Sequence, residues 1–256
     1  MLQIREEQMA VFEQAALRRF EDEMVVHSKI FSPRLCEVLG EEQLRVALRR
    51  AMARAGGYGF SYRGPIRLFI EFMFLFGSAF DTDPQYPWAG KILQAADDQM
   101  ERAEQLRDKT LDYQEKVSGP HAANTLQALE KLSVLARRPT NIPSGDFIRG
   151  TLAEISRVFP QKAAYIGEEG LKALIQEAKA EAQKCRLPSV RGETLIMVLM
   201  FAFGHGCTAD PLYPWIARTL KDERIIEPSA RAERLQRKAV TWLDHVLARP
   251  REGAKT

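Results

Sequence analysis

The sequence carries one segment twice, and this repeat constrains the fold more than any other feature. The apolar run LFIEFMFLFG leads into the loop FDTDPQYPWA, and a later run, LIMVLMFAFG, leads into CTADPLYPWI. The two segments align without a gap, at positions 88 and 215 for their tryptophans, which is an offset of 127. The residues shared at this offset include Met73 and Met200, Gly77 and Gly204, Asp83 and Asp210, and Tyr86 and Tyr213. The repeat predicts two similar structural units.

Helical periodicity runs through both copies. Apolar residues recur three or four positions apart, and almost no stretch alternates as a β-strand would. Residues 4–29 carry one apolar stripe and predict a single long amphipathic helix; the stripe comprises Met9, Phe12, Ala16, Phe20 and Met24. The repeated apolar run is hydrophobic on nearly every side, which is typical of the central helix of a bundle. We therefore predict an all-α protein made of two tandem duplicated helical-bundle units.

Loop-forming residues and the offset set the expected boundaries. Pro139 and Pro143 interrupt the entrance to the second unit, where the first copy is continuous. We expect the units to dock through the closing helix of the first and the opening helix of the second. The predicted divisions are a first unit at 1–119, a linking helix at 120–138, a second unit at 139–248 and a disordered tail at 249–256.

Composition limits the classes of partner and the compartment. Hydrophobic residues make up 45% of the chain and charged residues 28%, which indicates a globular protein with a real core. The net charge of +3 is too balanced to indicate a nucleic-acid or membrane partner. Cys36, Cys185 and Cys207 form no CxxC pair, which favours a reducing compartment. The N-terminal residues are charged and the apolar runs are too short to cross a bilayer, so we expect a cytoplasmic protein.

Asp81 and Asp83 are the first candidates for chemistry. Two carboxylates two positions apart in a loop are able to share a hard cation. The second copy has Thr208 in place of Asp81, however, and no distal glutamate completes a calcium site. The sequence therefore favours a helix cap or an Asx-turn at Asp83 and Asp210, each followed by proline.

Three other side chains are candidates for catalytic groups. Glu71 lies on the most apolar helix, where burial would raise its pKa, but Arg67 stands one turn away and favours a surface ion pair. His205 and Cys207 would suit a base and a nucleophile, yet the first copy has neither a histidine nor a cysteine at these positions, which favours packing at the end of the helix. We expect no enzyme activity, no cofactor and no metal site.

The aromatic residues of the repeated loop suggest binding instead. Large amphipathic side chains on a proline-stiffened backbone are common in binding hot spots. The alternative is that each tryptophan fills the top of its bundle and the prolines fix the shape of the loop. The candidate protein-binding residues are Tyr86, Trp88, Tyr213 and Trp215, with Asp81 and Asp83 beside them.

The repeated segment also resembles a family. Together with the opening IREEQMAVFEQAALRRFEDEMVVH, it resembles small helical proteins associated with effector clusters of bacterial type VI secretion, whose motif includes FDxDPxxPWA. The first copy keeps that motif, whereas the second departs from it at Cys207, Thr208 and Ile216. The resemblance supplies no catalytic residue. It implies a protein partner, a secreted toxin encoded by a neighbouring gene.

Three functions remain open at this point. The first is a cytoplasmic immunity protein that binds a cognate antibacterial toxin without enzymatic activity. The second is a chaperone or adaptor that loads a type VI secretion effector. The third is a metal-dependent hydrolase that uses Asp81, Asp83 and Glu71. The sequence indicates neither the toxin nor the oligomeric state.

Overall fold

A computed structural model describes residues 6–137 and 147–248, which fold into α-helices with no β-strand among them. The prediction of an all-α protein is confirmed. In chain order the helices are α1 (Glu6–Phe31), α2 (Pro33–Leu39), α3 (Glu41–Gly57), α4 (Arg63–Phe76), α5 (Pro87–Leu93), α6 (Gln99–Tyr113), α7 (Ala123–Ala136), α8 (Phe147–Val158), α9 (Pro160–Lys184), α10 (Val190–Phe203), α11 (Pro214–Leu220) and α12 (Pro228–Leu247). We call residues 6–119 the first half and residues 147–248 the second half.

Helix boundaries recur at the offset of the sequence repeat. Helices α4 and α10 begin and end 127 positions apart, and so do α5 and α11. Helix α9 is broken at Gly167 (φ 75°, ψ 168°), which corresponds to Gly40 (φ 78°, ψ 156°) between α2 and α3. These backbone angles lie in a region that is essentially restricted to glycine. The same residue types therefore end the same helices in both halves.

Two prolines and two glycines explain the limits of the repeated helices. Pro87 and Pro214 open α5 and α11, at a position where the missing amide hydrogen costs nothing. Gly77 and Gly204 end α4 and α10 with φ values of 95° and 93°.

The opening helix differs from its prediction in how it packs. Helix α1 is continuous, and Phe20 and Met24 are buried as expected. Phe12, however, is 64% exposed and Ala16 is also exposed, so the stripe is not buried along its first half. The periodicity shows that a helix is amphipathic, but burial also requires a neighbouring element to pack against it.

The cores of the two halves are built around α4 and α10. Helix α3 packs on α4 in the first half, and α9 packs on α10 in the second. Helix α4 buries one set of side chains almost fully: Phe69, Ile70, Phe72, Met73 and Phe76. Helix α10 buries the corresponding Ile196, Met197, Leu199, Met200 and Phe203. The prediction that these runs form central helices is confirmed.

Helix α7 covers one face of the second half. It packs on α12 and α8, and the Gln236 side chain of α12 donates a hydrogen bond to the Ala136 carbonyl of α7 (2.6 Å). Val198, which lies beside Leu132 and Leu135 of α7, corresponds to Glu71 in the first half. Glu71 is instead contacted by His27 of α1. The predicted break at 139–143 and the predicted tail at 249–256 lie outside the described residues.

None of the helices in the described ranges is both long enough and apolar enough to cross a membrane.

Candidate functional site

The two Asp-Pro loops meet and exchange hydrogen bonds. The Asp83 Oδ2 atom accepts a hydrogen bond from the His205 backbone N–H at 2.7 Å. The Asp210 Oδ2 atom accepts one from the Ser78 backbone N–H at 2.8 Å. Ser78 and His205 are themselves counterparts at the offset of 127. In each half, therefore, the aspartate carboxylate accepts a hydrogen bond from a backbone N–H of the other half. That N–H belongs to the residue directly after Gly77 or Gly204.

Gly77 and Gly204 allow this close approach. A β-carbon at Gly77 would lie 2.4 Å from the Phe203 carbonyl oxygen, and one at Gly204 would lie 2.5 Å from that of Phe76. Both distances are well inside van der Waals contact, and the opposing atoms belong to the backbone. The two halves therefore touch through glycine backbone at the ends of α4 and α10.

The second oxygen of each carboxylate forms the predicted turn. Asp83 Oδ1 accepts from the Gln85 N–H and Asp210 Oδ1 from the Leu212 N–H, both at 2.8 Å. The Asx-turns are thus confirmed. Both aspartates are 2% exposed, and burial raises the pKa of each carboxyl despite the backbone hydrogen bonds that favour ionisation. Their contacts are internal to the chain.

The loop aromatics are packed inside the halves. Tyr86 and Tyr213 are 1% and 6% exposed. Tyr86 lies with its ring centroid 4.6 Å from that of Phe76, and Tyr213 lies 4.5 Å from Phe203. Trp88 and Trp215 are partly buried against the same clusters, at 5.8 Å and 6.4 Å from the respective phenylalanine rings. The tyrosines therefore offer no surface to a partner in this structure. They fill the interior of each half instead.

Asp81 is also internal. It is 3% exposed, and its Oδ2 atom accepts hydrogen bonds from Arg54 Nε (2.7 Å) and from the Tyr58 hydroxyl (2.6 Å). The guanidinium balances its charge, so Asp81 and Asp83 do not share a cation here. The described residues contain no group of three His, Cys, Asp or Glu side chains placed to bind a metal ion.

The second half replaces this trio with a different one. At the offset of 127, Arg54 becomes Glu181, Tyr58 becomes Cys185 and Asp81 becomes Thr208. The Thr208 hydroxyl donates to Glu181 Oε1 at 2.6 Å. Burial raises the pKa of Glu181, but this bond and the Lys184 ammonium outweigh burial and hold the pKa below its usual value. The negatively charged side chain of this group is therefore Glu181 on α9 in the second half, whereas in the first half it is Asp81 in the loop.

Lys162 is a buried cation that sequence reasoning missed. It is 4% exposed, it donates a hydrogen bond to the Phe201 carbonyl, and its Nζ lies 4.9 Å from the Phe201 ring centroid and 5.6 Å from that of Tyr86. Burial lowers its pKa to about 8, although the negative charge of Asp83 acts in the opposite direction. Its counterpart in the first half is Leu35, and this mismatch between the copies was the available signal.

The remaining catalytic candidates do not assemble into a reactive pair. Cys207 is fully buried, and burial raises the pKa of its thiol well above the usual value. The His205 ring bonds to Glu177 and to Thr82, both at 3.0 Å, and not to Cys207. Glu71 accepts from Arg67 Nε at 3.0 Å, as predicted, and contacts His27 Nε2 at 2.7 Å, which was not predicted.

The outer face of α1 is the candidate interaction surface. Four large apolar side chains on it are exposed: Val11 (65%), Phe12 (64%), Val26 (61%) and Ile30 (76%). At 100° per residue they lie within about 100° of the helix circumference, and they span about 28 Å along the axis. Leu17, on the opposite side of α1, is 57% exposed as well. Arg19 and Asp22, both exposed, lie between the Val11–Phe12 pair and the Val26–Ile30 pair on the same side of the helix, so the face presents two apolar patches with charged side chains between them.

Comparisons with known proteins add no further constraint. No protein-family model, no curated protein and no solved structure matches the chain.

Proposed function

We propose that the chain consists of two copies of one helical unit that face each other across the Asp-Pro loops. Three observations support this organisation. The repeated helices begin and end at a constant offset. The hydrogen bonds from Ser78 to Asp210 and from His205 to Asp83 are equivalent under that offset. Helices α6 and α12 begin 129 positions apart because of a two-residue insertion before α12, and their buried arginines Arg102 and Arg231 donate to backbone carbonyls at counterpart positions, Tyr58 and Cys185.

We further propose that the protein binds another protein and has no enzymatic role. The observation that supports this is the exposed apolar face of α1, formed by Val11, Phe12, Val26 and Ile30. A face that is apolar at both ends and charged between them suits a partner surface with two apolar contacts and a polar strip between them. The sequence resemblance suggests a bacterial toxin of a type VI secretion cluster as that partner. The protein would then act as an immunity protein in the cytoplasm of the toxin-producing cell.

The test uses the product of the neighbouring gene as the probe. We would measure its affinity for the wild-type chain and for a double variant, Val26→Glu with Ile30→Glu. Both side chains are exposed, so the fold should persist, while two charges on an apolar contact should weaken binding at least about 100-fold. The matched control is Leu111→Glu with Val134→Glu, two exposed positions on α6 and α7 that should leave the affinity unchanged.

A survival assay separates immunity from the adaptor role. If the protein is an immunity protein, cells that express the toxin should die with the α1 variant and survive with the control variant. If the toxin instead becomes unstable or unsecreted without killing the cell, the adaptor function is correct. Equal affinity for the α1 and control variants would exclude the α1 face as the binding surface.

A further inference from the structure

An open cavity of about 770 Å³ lies beside the end of α9. The residues that line it include Glu181, Cys185, Arg186, Thr208, Lys221 and Arg231. In the first half, the large side chains of Arg54 and Tyr58 close onto Asp81 at the corresponding positions. At the positions of Arg54 and Tyr58 the second half has the smaller Glu181 and Cys185. This volume is in the range of sites that hold small molecules.

The charges around the cavity favour an anion. Among the described residues, the side chains of Arg186, Lys221 and Arg231 form no ion pair with a carboxylate, although all three line the cavity. The charge of Glu181 is already engaged, because Lys184 Nζ lies 3.2 Å from its carboxylate. The remaining lining acid is Glu223, so the cations without acidic partners exceed the free acids. Like-signed groups around one concave site raise the local concentration of the opposite charge.

Arg231 is buried and its charge is not matched by an acid. It is 5% exposed, and its guanidinium donates to the Ile225 carbonyl at 2.6 Å and to the Cys185 carbonyl at 3.4 Å. Its Nε atom is buried without a hydrogen-bond partner, as is that of its counterpart Arg102. The Arg102 guanidinium, however, lies 5.0 Å from the Phe60 ring centroid, whereas the second half has Leu187 in place of Phe60. Arg231 thus lacks the aromatic contact that its counterpart has.

Arg186 occupies a backbone conformation that favours glycine. Its φ is 58°, and its counterpart is Gly59 with a φ of 76°. Glycine is the default residue for such a left-handed position, and residues with a β-carbon are disfavoured there. Non-glycine residues held in this region cluster at functional sites. A guanidinium therefore stands at the margin of the cavity at a position where the fold itself favours glycine.

We propose that this cavity binds a small free anion that carries carboxylate or phosphate groups, with Arg186, Lys221 and Arg231 as its cationic contacts. The site differs from the α1 face, and it does not depend on the proposed partner. The two carbonyl contacts hold the Arg231 guanidinium in place before the anion arrives. The exposed side chains of Arg186 and Lys221 are free to close on the anion as charge-assisted donors.

Citrate and inorganic phosphate are the probes for the test. Isothermal titration at low ionic strength should show saturable binding of one anion per chain. Arg186→Gly should weaken that binding roughly 10-fold or more, since a hydrogen bond to a charged group is lost. The variant restores the residue of the first half, so the fold should not suffer. Lys221→Ala should weaken binding in the same direction, and Arg19→Ala, whose side chain is 84% exposed on α1, should leave it unchanged.

Alkylation of Cys185 reports whether the anion occupies this cavity. Cys36 and Cys207 are buried, whereas Cys185 is partly exposed and lines the cavity. Citrate should slow the reaction of Cys185 with iodoacetamide, a neutral reagent, in the wild-type chain and not in Arg186→Gly. The proposal is overturned by absence of saturable heat up to about 10 mM of either probe. It is equally overturned if Arg19→Ala loses as much affinity as Arg186→Gly, or if bound citrate leaves the alkylation rate unchanged.

Discussion

Replacement of Gly77 by alanine should disrupt the contact between the two halves. Gly77 has a φ of 95°, and an added β-carbon would lie 2.4 Å from the Phe203 carbonyl oxygen. An ordinary contact of that kind is at least 3.4 Å, so the two backbones must separate by about 1 Å. The hydrogen bonds from Ser78 to Asp210 and from His205 to Asp83 cross the same contact and would lengthen together.

The expected loss of stability in Gly77→Ala has two contributions, and the Gly40→Ala variant separates them. Gly40 has a similar positive φ of 78°, but nothing lies within 4 Å of a β-carbon placed there. Gly40→Ala should therefore cost only backbone strain, on the order of 1–3 kcal/mol. Gly77→Ala should cost the same strain plus the weakening of two buried hydrogen bonds to carboxylates, on the order of 1.5–3 kcal/mol each when fully lost. We expect the free energy of unfolding to fall by about 2–4 kcal/mol more for Gly77→Ala than for Gly40→Ala.

Urea unfolding at neutral pH, followed by helical circular dichroism, measures both variants under one protocol. The pair Gly204→Ala and Gly167→Ala provides an independent repeat. A β-carbon added at Gly204 would lie 2.5 Å from the Phe76 carbonyl oxygen, whereas one added at Gly167 would have nothing within 4 Å. If Gly77→Ala and Gly40→Ala differ by less than about 0.5 kcal/mol, the glycine contact does not hold the halves together. A change in the slope of the transition, rather than its midpoint, would indicate that the halves unfold separately.

Two further predictions concern positions where the halves differ. Arg186→Gly should raise the free energy of unfolding by up to about 1 kcal/mol, because the relief of left-handed backbone strain exceeds the entropy that glycine adds to the unfolded chain. A thermal melt in the absence of anions measures the change. A loss of stability would contradict the assignment of strain to Arg186. Lys162→Leu restores the residue of the first half and should change how stability depends on pH. The folded-state pKa of Lys162 is lowered to about 8, so the unfolded chain binds more protons above that pH and stability rises until the unfolded value near 10.5. Relative to Lys162→Leu, the wild type should gain on the order of 1–2 kcal/mol between about pH 8 and pH 9.5, and parallel pH profiles would show that Lys162 is not protonated differently in the fold.

The local structure of the repeated segment could be predicted because its causes are local. Pro87 opens a short helix and Gly77 ends a long one through the conformational limits of those residues alone. The Asx-turn at Asp83 joins atoms two positions apart, so it too is encoded within the loop. Apolar residues on all sides of α4 indicated a central helix, and its burial confirms this.

The candidate binding surface could not be located from residue type. Tyr86 has the size and polarity of a hot-spot residue, yet it is buried beside Phe76 because the fold needs a large aromatic side chain there. Phe12 was expected to face the core, yet it is exposed, as are the other side chains described from Val11 to Arg19. Periodicity identifies the apolar face of a helix, but not whether this chain or another molecule covers that face.

Residue types and their spacing are enough to predict that helices form, where the repeated ones end, and which positions correspond in the two copies. The contacts of those positions depend on the tertiary structure. The Asp83 carboxylate meets a backbone N–H 122 positions away, and the cavity at Cys185 is lined by side chains from α9, from the Asp-Pro loop and from α12. Such contacts depend on distances between remote segments, which chain geometry fixes only after both halves have folded and docked. The differences between the copies, at Glu181, Cys185, Arg186 and Thr208, were visible in the sequence, but their common location around one cavity was not.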